Sequence, residues 1–196
     1  MTDTHRPKVL VPIADGTEEI EAVCIIDVLR RAGADVTVAS VGDLQITASR
    51  GVRIVADSRI EDCREERFDL IALPGGIPGA EHLRESQTLV QLLKQHQASG
   101  GLYGAICAAP AIVLSHHGLL GGRRATGHPA FTEQLTDGEA TASRVVVDGK
   151  CVTSQGPGTA LEFALTLVAL LLGEEKAQEV AAPMLVAGST GSNRSN

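Results

Sequence analysis

The sequence predicts an α/β protein with an open, mostly parallel sheet covered on both faces by helices. Three observations point there. Short β-branched runs alternate with stretches of helical period, and the connections are brief and rich in glycine and proline. The run Phe68–Leu73 (FDLIAL) is also continuously apolar, as a strand buried on both faces requires.

In chain order, Lys8–Ile13 (KVLVPI) is the first strand, closed by Ala14-Asp15-Gly16. A helix follows over Glu18–Ala32, with Glu18 and Glu19 in its first turn, Arg30 and Arg31 in its last, and Gly33 as its stop. Asp35–Val41 completes a βαβ unit, and two short extended runs, Gln45–Ser49 and Val52–Ala56, flank an Arg50-Gly51 turn. After Phe68–Leu73 and Pro74-Gly75-Gly76 come a helix over Ser86–Ala98, a strand over Leu102–Ile106, and a helix over Ala108–His117. A looser stretch around His128-Pro129 precedes a hairpin of Arg144–Val147 and Cys151–Ser154. Thr159-x-x-Glu162 reads as a capping box opening the next helix, and a last short helix spans Glu174–Ala182. We read residues 1–187 as one domain and 188–196 as a polar, flexible tail.

Composition narrows the function classes. Seventeen basic against 24 acidic residues give a net charge of −7 with no basic cluster, which argues against nucleic-acid and anionic-membrane surfaces. With no Trp, one Tyr and three Phe, stacking platforms are poorly supplied. The four cysteines, Cys24, Cys63, Cys107 and Cys151, form no C-x-x-C pair that would suggest zinc, haem or a redox dithiol. No apolar run reaches a membrane span and the N-terminus lacks a signal-peptide core, so a soluble cytoplasmic protein with reduced thiols is expected.

In a parallel sheet the ligand end is where strands give way to helices. Gly104-Ala105-Ile106-Cys107-Ala108-Ala109-Pro110 places a thiol at such a junction between small residues, the layout of a nucleophile elbow. A helix N-terminus there favours a thiolate, and the next backbone N–H can serve a developing oxyanion. Cys24, Cys63 and Cys151 read as structural. Glu21 shares a helical face with Cys24, Ile25 and Val28, so it is either half-exposed at the edge of that stripe or desolvated with a raised pKa; spacing alone favours exposure. Asp27 raises the same question. His128 lies in a ligand-end loop, His116 and His117 close a helix, and His5, His82 and His96 read as solvated. The loops at Pro74-Gly75-Gly76 and Gly156-Pro157-Gly158-Thr159 could aim N–H groups at an anion or serve only as closures; neither matches a nucleotide fingerprint.

Five segments in register, ADGTEEIEAV (14–23), VLRRAG (28–33), DLIALPGG (69–76), GAICAAP (104–110) and TSQGPGTALEFAL (153–165), resemble the ThiJ/PfpI superfamily. Within it they are most similar to the branch of Parkinson disease protein 7 and its bacterial relatives. The resemblance implies a flavodoxin-like three-layer α/β/α sandwich, akin to class I glutamine amidotransferases, forming a homodimer. It further implies Cys107 as nucleophile, Glu21 beside it, the N–H groups of Gly76 and Ala108 at the oxyanion position, and His128 nearby. Gly75, Arg31 and Arg50 match an anion-friendly pocket, and Glu21 is thereby moved from surface to site. No cofactor or metal is implied. The activity implied is glyoxalase and deglycase chemistry on small α-oxoaldehydes and early adducts on protein side chains, with a redox-responsive chaperone or stress sensor as the alternative. Two departures matter: Ala108 stands where protease-like members carry His, and no His follows His128 to supply an amidotransferase His-x-Glu. Against the human member, Gln155 replaces an Arg and the second cysteine of the strand matching Val52–Ala56 is missing.

Overall fold

Strand β1 (Lys8–Ile13) lies inside the sheet, between two parallel neighbours and almost wholly buried, as its largely apolar sequence demands. The computed structural model describes residues 6–135 and 138–186; the expected 188–196 tail and His5 lie outside them. Helix α1 (Glu19–Arg31) leads to β2 (Asp35–Ser40), which pairs parallel with β1 from Lys8↔Asp35 to Ile13↔Ser40. The two short runs form β3 (Gln45–Thr47) and β4 (Arg53–Val55), an antiparallel hairpin that stands apart from the main sheet. Strands β5 (Ser58–Arg59), β6 (Leu70–Leu73), β7 (Leu102–Ile106), β8 (Val145–Asp148) and β9 (Cys151–Ser154) complete a seven-stranded sheet of order β5-β2-β1-β6-β7-β9-β8. Only the β8–β9 pairing at the edge is antiparallel. Helix α4 (Ala160–Leu172) packs on α1 and α5 (Glu174–Ala181) on α4, while α2 (Gly79–Glu85), α3 (Gln87–Ala98) and a helical turn over Pro110–Ser115 form a second group. This is the flavodoxin-like sandwich.

Some expectations need correcting. The segment after Cys107 is π-helical, with His116 N–H donating to Ala111 O and Leu119 N–H to Leu114 O, five residues back in each case. The capping box at Thr159 is not formed, because both partners are engaged elsewhere. Thr159 Oγ1 bonds Gly156 O (2.9 Å) and Ser154 Oγ (2.6 Å), while Glu162 accepts from Arg144 Nε at 2.7 Å. Helix α2 was not anticipated: seven residues directly after a glycine-rich turn are too few to show a period. His96 is not solvated; it is buried, with Nε2 2.7 Å from Leu102 O, in space that only a glycine at 101 leaves open.

Candidate active site

The site is assembled where three strand ends meet. Beyond β1, the loop Ala14–Glu18 runs against the Gly75–Gly79 loop beyond β6 at backbone-to-backbone distance. A Cβ on Gly76 would stand 2.4 Å from Gly16 O and 2.5 Å from Glu18 N, and Gly76 itself has φ +92°, so this position requires glycine. Glu18 caps α1 by accepting the Glu21 N–H at 2.8 Å, and its own N–H donates to Gly75 O at 2.9 Å.

That packing puts Glu21 inside. Its side chain is fully buried, and Oε2 accepts the Gly75 N–H at 2.7 Å. Among the described residues Glu21 Oε1 is the only buried side-chain oxygen or nitrogen with no hydrogen-bond partner. Burial pushes the carboxyl up to about 7, aided by the charge of Glu18 and opposed by bonds from Gly75 and from the Cys107 thiol. Of the two readings spacing left open, the desolvated one holds. The deciding contact comes from a glycine 54 residues away.

Cys107 follows β7 in the left-handed region, φ 66°. A non-glycine residue there costs on the order of 1 kcal/mol, so the surroundings must hold it. They do: its N–H donates to Ser154 O (3.0 Å), its C=O accepts from His128 N–H (2.8 Å), and Gly75 leaves room, since a Cβ there would lie 2.7 Å from Cys107 Cβ. The thiol is buried, which pushes it up to about 12 together with the Glu21 carboxylate; hydrogen bonds from the N–H groups of Gly76 and Ala108 to the sulfur act the other way. The N–H groups around the site are therefore aimed at two groups of the protein itself, the Glu21 carboxyl and the Cys107 sulfur. Gly75 has given its donor to Glu21 and has none left for a substrate anion.

His128 is half-buried at the head of a 3₁₀ turn, Pro129–Gln134, with Nδ1 accepting the Ala130 N–H (3.2 Å). With Nδ1 accepting, the tautomer that fits this contact carries its N–H at Nε2. Sequence reasoning missed Gly127, which approaches Cys107 O closely, and Glu19, whose carboxylate bonds Ser49 and Arg50. Arg50 is exposed on the β3–β4 turn, its backbone held by Glu19. Arg31 is not brought to this site within the chain: it lies ten residues beyond Glu21 on α1, roughly 15 Å away at the helical rise. There it pairs with Asp27 at 2.6 Å on the surface. The remaining cysteines are unpaired and their thiols are likewise raised by burial, Cys151 to about 11.

Comparison with known proteins identifies the family and the fold. The DJ-1/PfpI family model matches residues 7–170. The chain belongs to the DJ-1/PfpI family. Among family members, it is 51% identical to Arabidopsis thaliana protein DJ-1 homolog B over 92% of this chain but 41% of that protein; this chain thus spans less than half the plant protein's length. It is 39% identical to the Caenorhabditis elegans glutathione-independent glyoxalase DJR-1.2, covering 91% of this chain and 95% of that one. Oxidized Toxoplasma gondii DJ-1 superimposes with a TM-score of 0.91 at 50% identity, over 92% of this chain and 99% of the other. No helix among the described residues is long and apolar enough to cross a membrane.

Proposed function

We propose that this family member is a cofactor-independent enzyme of the glyoxalase type, acting on α-oxoaldehydes through Cys107. The observation that carries the reading is the buried pair itself: a thiol held in the left-handed region against a carboxyl that keeps a proton near neutral pH. At that pH the pair holds one proton between two groups, and the form with the proton on Glu21 is the nucleophile. In the proposed reaction the sulfur adds to the aldehyde carbon of methylglyoxal, and the oxygen takes a proton to give a hemithioacetal. Glu21 then removes the hydrogen from that carbon and returns a proton to the neighbouring carbon, turning the ketone into an alcohol and the hemithioacetal into a thioester. Water cleaves the thioester to lactate and restores the thiol. As negative charge moves from the sulfur to the substrate oxygen, the Gly76 and Ala108 N–H groups that had faced the sulfur turn to that oxygen, and His128 Nε2–H is a further donor. On an early adduct, where the former aldehyde carbon is already bonded to a protein amine or thiol, the Cys107 sulfur would displace the side chain: the new C–S bond forms as the bond to the side chain breaks, the side chain leaves with a proton, and the same hemithioacetal results. The name of the nematode relative supports the reaction class. Lactate formation from methylglyoxal tests it: Cys107→Ser and Glu21→Ala should abolish turnover, and parent-like rates in both would overturn the proposal.

The cradle of N–H donors around the sulfur favours a second reading. A sulfinate on Cys107 would keep the bonds from Gly76 and Ala108 and offer a partner to Glu21 Oε1, and a related structure is of an oxidized protein. Mild peroxide should then add two oxygens to Cys107 ahead of the other three cysteines. We also propose a homodimer, motivated by the exposed apolar side chains of Ile20, Val23 and Val52 around α1 and the adjoining hairpin.

A further inference from the structure

Helix α1 opens on three glutamates, and only two have been given work. Glu18 caps the helix and Glu21 faces Cys107. Glu19 takes no part in that pair, and two residues along a helix do not share a face. It is nonetheless buried, with 8% of its surface exposed. Both of its oxygens accept from a single turn: Oε2 from Ser49 Oγ and Oε1 from the Arg50 N–H, both at 2.8 Å. Burial would push this carboxyl up, but its own N–H, Ser49, and the Arg50 and Val52 N–H groups outweigh it and hold it below the ordinary carboxylate range. A buried charge so fully bonded fixes what it touches.

What it fixes is the β3–β4 hairpin, which pairs with no strand of the main sheet. Three more bonds run between the same two segments: Gly16 N–H to Thr47 O (2.9 Å), Thr47 N–H to Asp15 Oδ1 (2.7 Å) and Ser49 N–H to Thr17 O (2.8 Å). Residues 16–18 on the receiving side are the ones interlocked with Gly75, Gly76 and Gly79. The hairpin therefore backs the loop that aims Glu21 and the Gly76 N–H at the sulfur.

We propose that Glu19 is a positioning residue: it latches the β3–β4 hairpin onto the first turn of α1 and so holds Glu21 in one orientation toward Cys107. The inference rests on the reading of Cys107 and Glu21 as the reacting pair. Releasing the latch has two opposite consequences. Turnover falls because Glu21 loses its aim, whereas simple thiol reactivity rises because water reaches the sulfur and its pKa drops toward that of an ordinary cysteine.

The test uses the full-length chain with Glu19→Ala, Glu19→Gln and Ser49→Ala. It measures kcat and KM for lactate formation, and the rate of Cys107 alkylation by iodoacetamide at mildly alkaline pH, site by site by mass spectrometry. In Glu19→Ala, kcat should fall about tenfold or more with a smaller change in KM. Its Cys107 alkylation should accelerate by about tenfold for each unit its pKa drops. Glu19→Gln, which can still accept from Arg50 and donate to Ser49, should restore most of both, and Ser49→Ala should move both in the direction of Glu19→Ala by less. Buried Cys63 and Cys151 report on unfolding. If they become reactive in Glu19→Ala, Ser49→Ala decides, because it leaves α1 intact. Parent-like kcat and alkylation in Glu19→Ala and Ser49→Ala, or a Glu19→Gln variant no better than Glu19→Ala, would overturn the proposal. Absence of lactate from the parent protein, with alkylation still following the latch, would instead overturn the proposed function and leave the positioning role standing.

Discussion

The two ends of helix α1 carry charges that sequence rules treat alike, acids in the first turn and bases in the last, each complementing the helix dipole. The structure treats them very differently. Arg30 and Arg31 at the C-terminal end pair with Asp57 and Asp27 on the surface, where about half of each side chain meets solvent. At the N-terminal end Glu18 caps the helix, Glu19 accepts from the hairpin turn, and Glu21 is buried against the Gly75 N–H. What separates the ends is how far other segments cover them: at one end the Gly75 loop and the hairpin close over Glu19 and Glu21 and supply donors, while at the other Val36 O and Asp57 reach Arg30 but leave both arginines about half exposed. Charge near a helix terminus becomes chemistry only when a second segment removes the water.

That contrast can be broken from either side. The largest effect belongs to Gly75→Ala, whose methyl would lie within 2.8 Å of Cys107 Cβ and Ile106 O. Overpacking of this kind should cost about 3 kcal/mol in denaturant unfolding, with loss of turnover even where the variant folds. Glu18→Ala comes next. Losing the cap should cost about 1 kcal/mol. Because the charge of Glu18 helps raise the Glu21 pKa, the midpoint of the pH–activity curve should also move down. The smallest effect is expected at the far end: Arg31→Ala removes an exposed i,i+4 pair and should change stability by about 0.5 kcal/mol or less, with no change in turnover. A large loss of activity in Arg31→Ala would mean that the C-terminal end of α1 reaches a site after all, through an arrangement that a single chain does not show.

The legible part of this protein was the part set by local pattern. Lys8–Ile13, Leu102–Ile106 and Cys151–Ser154 form strands with the bounds read from sequence, because apolar runs closed by turns leave the backbone one economical choice. Cys107 was legible for the same reason, as a thiol where a strand meets a helix. Glu21 was not settled by spacing, which favoured exposure; its burial depends on Gly75, 54 residues away, and only the family resemblance pointed inward. Thr159 and Glu162 matched a capping box until Ser154, Gly156 and Arg144 competed for them. Glu19 looked like a dipole residue because its partners lie about thirty residues away, in a hairpin whose docking no local pattern encodes.

Whether Glu21 holds a proton near neutral pH beside Cys107 is read most directly from the pH dependence of kcat/KM for methylglyoxal. The folded carboxyl lies near 7, above its ordinary 4.5, so lowering the pH through that range puts a second proton on the pair and silences it. Activity should therefore rise with pH through a midpoint near 7 and hold above it, since the thiol proton is retained toward 12. Glu21→Gln should be far less active and lack that midpoint. A parent profile that rises near 4.5, or a midpoint near 7 that survives Glu21→Gln, would contradict the account.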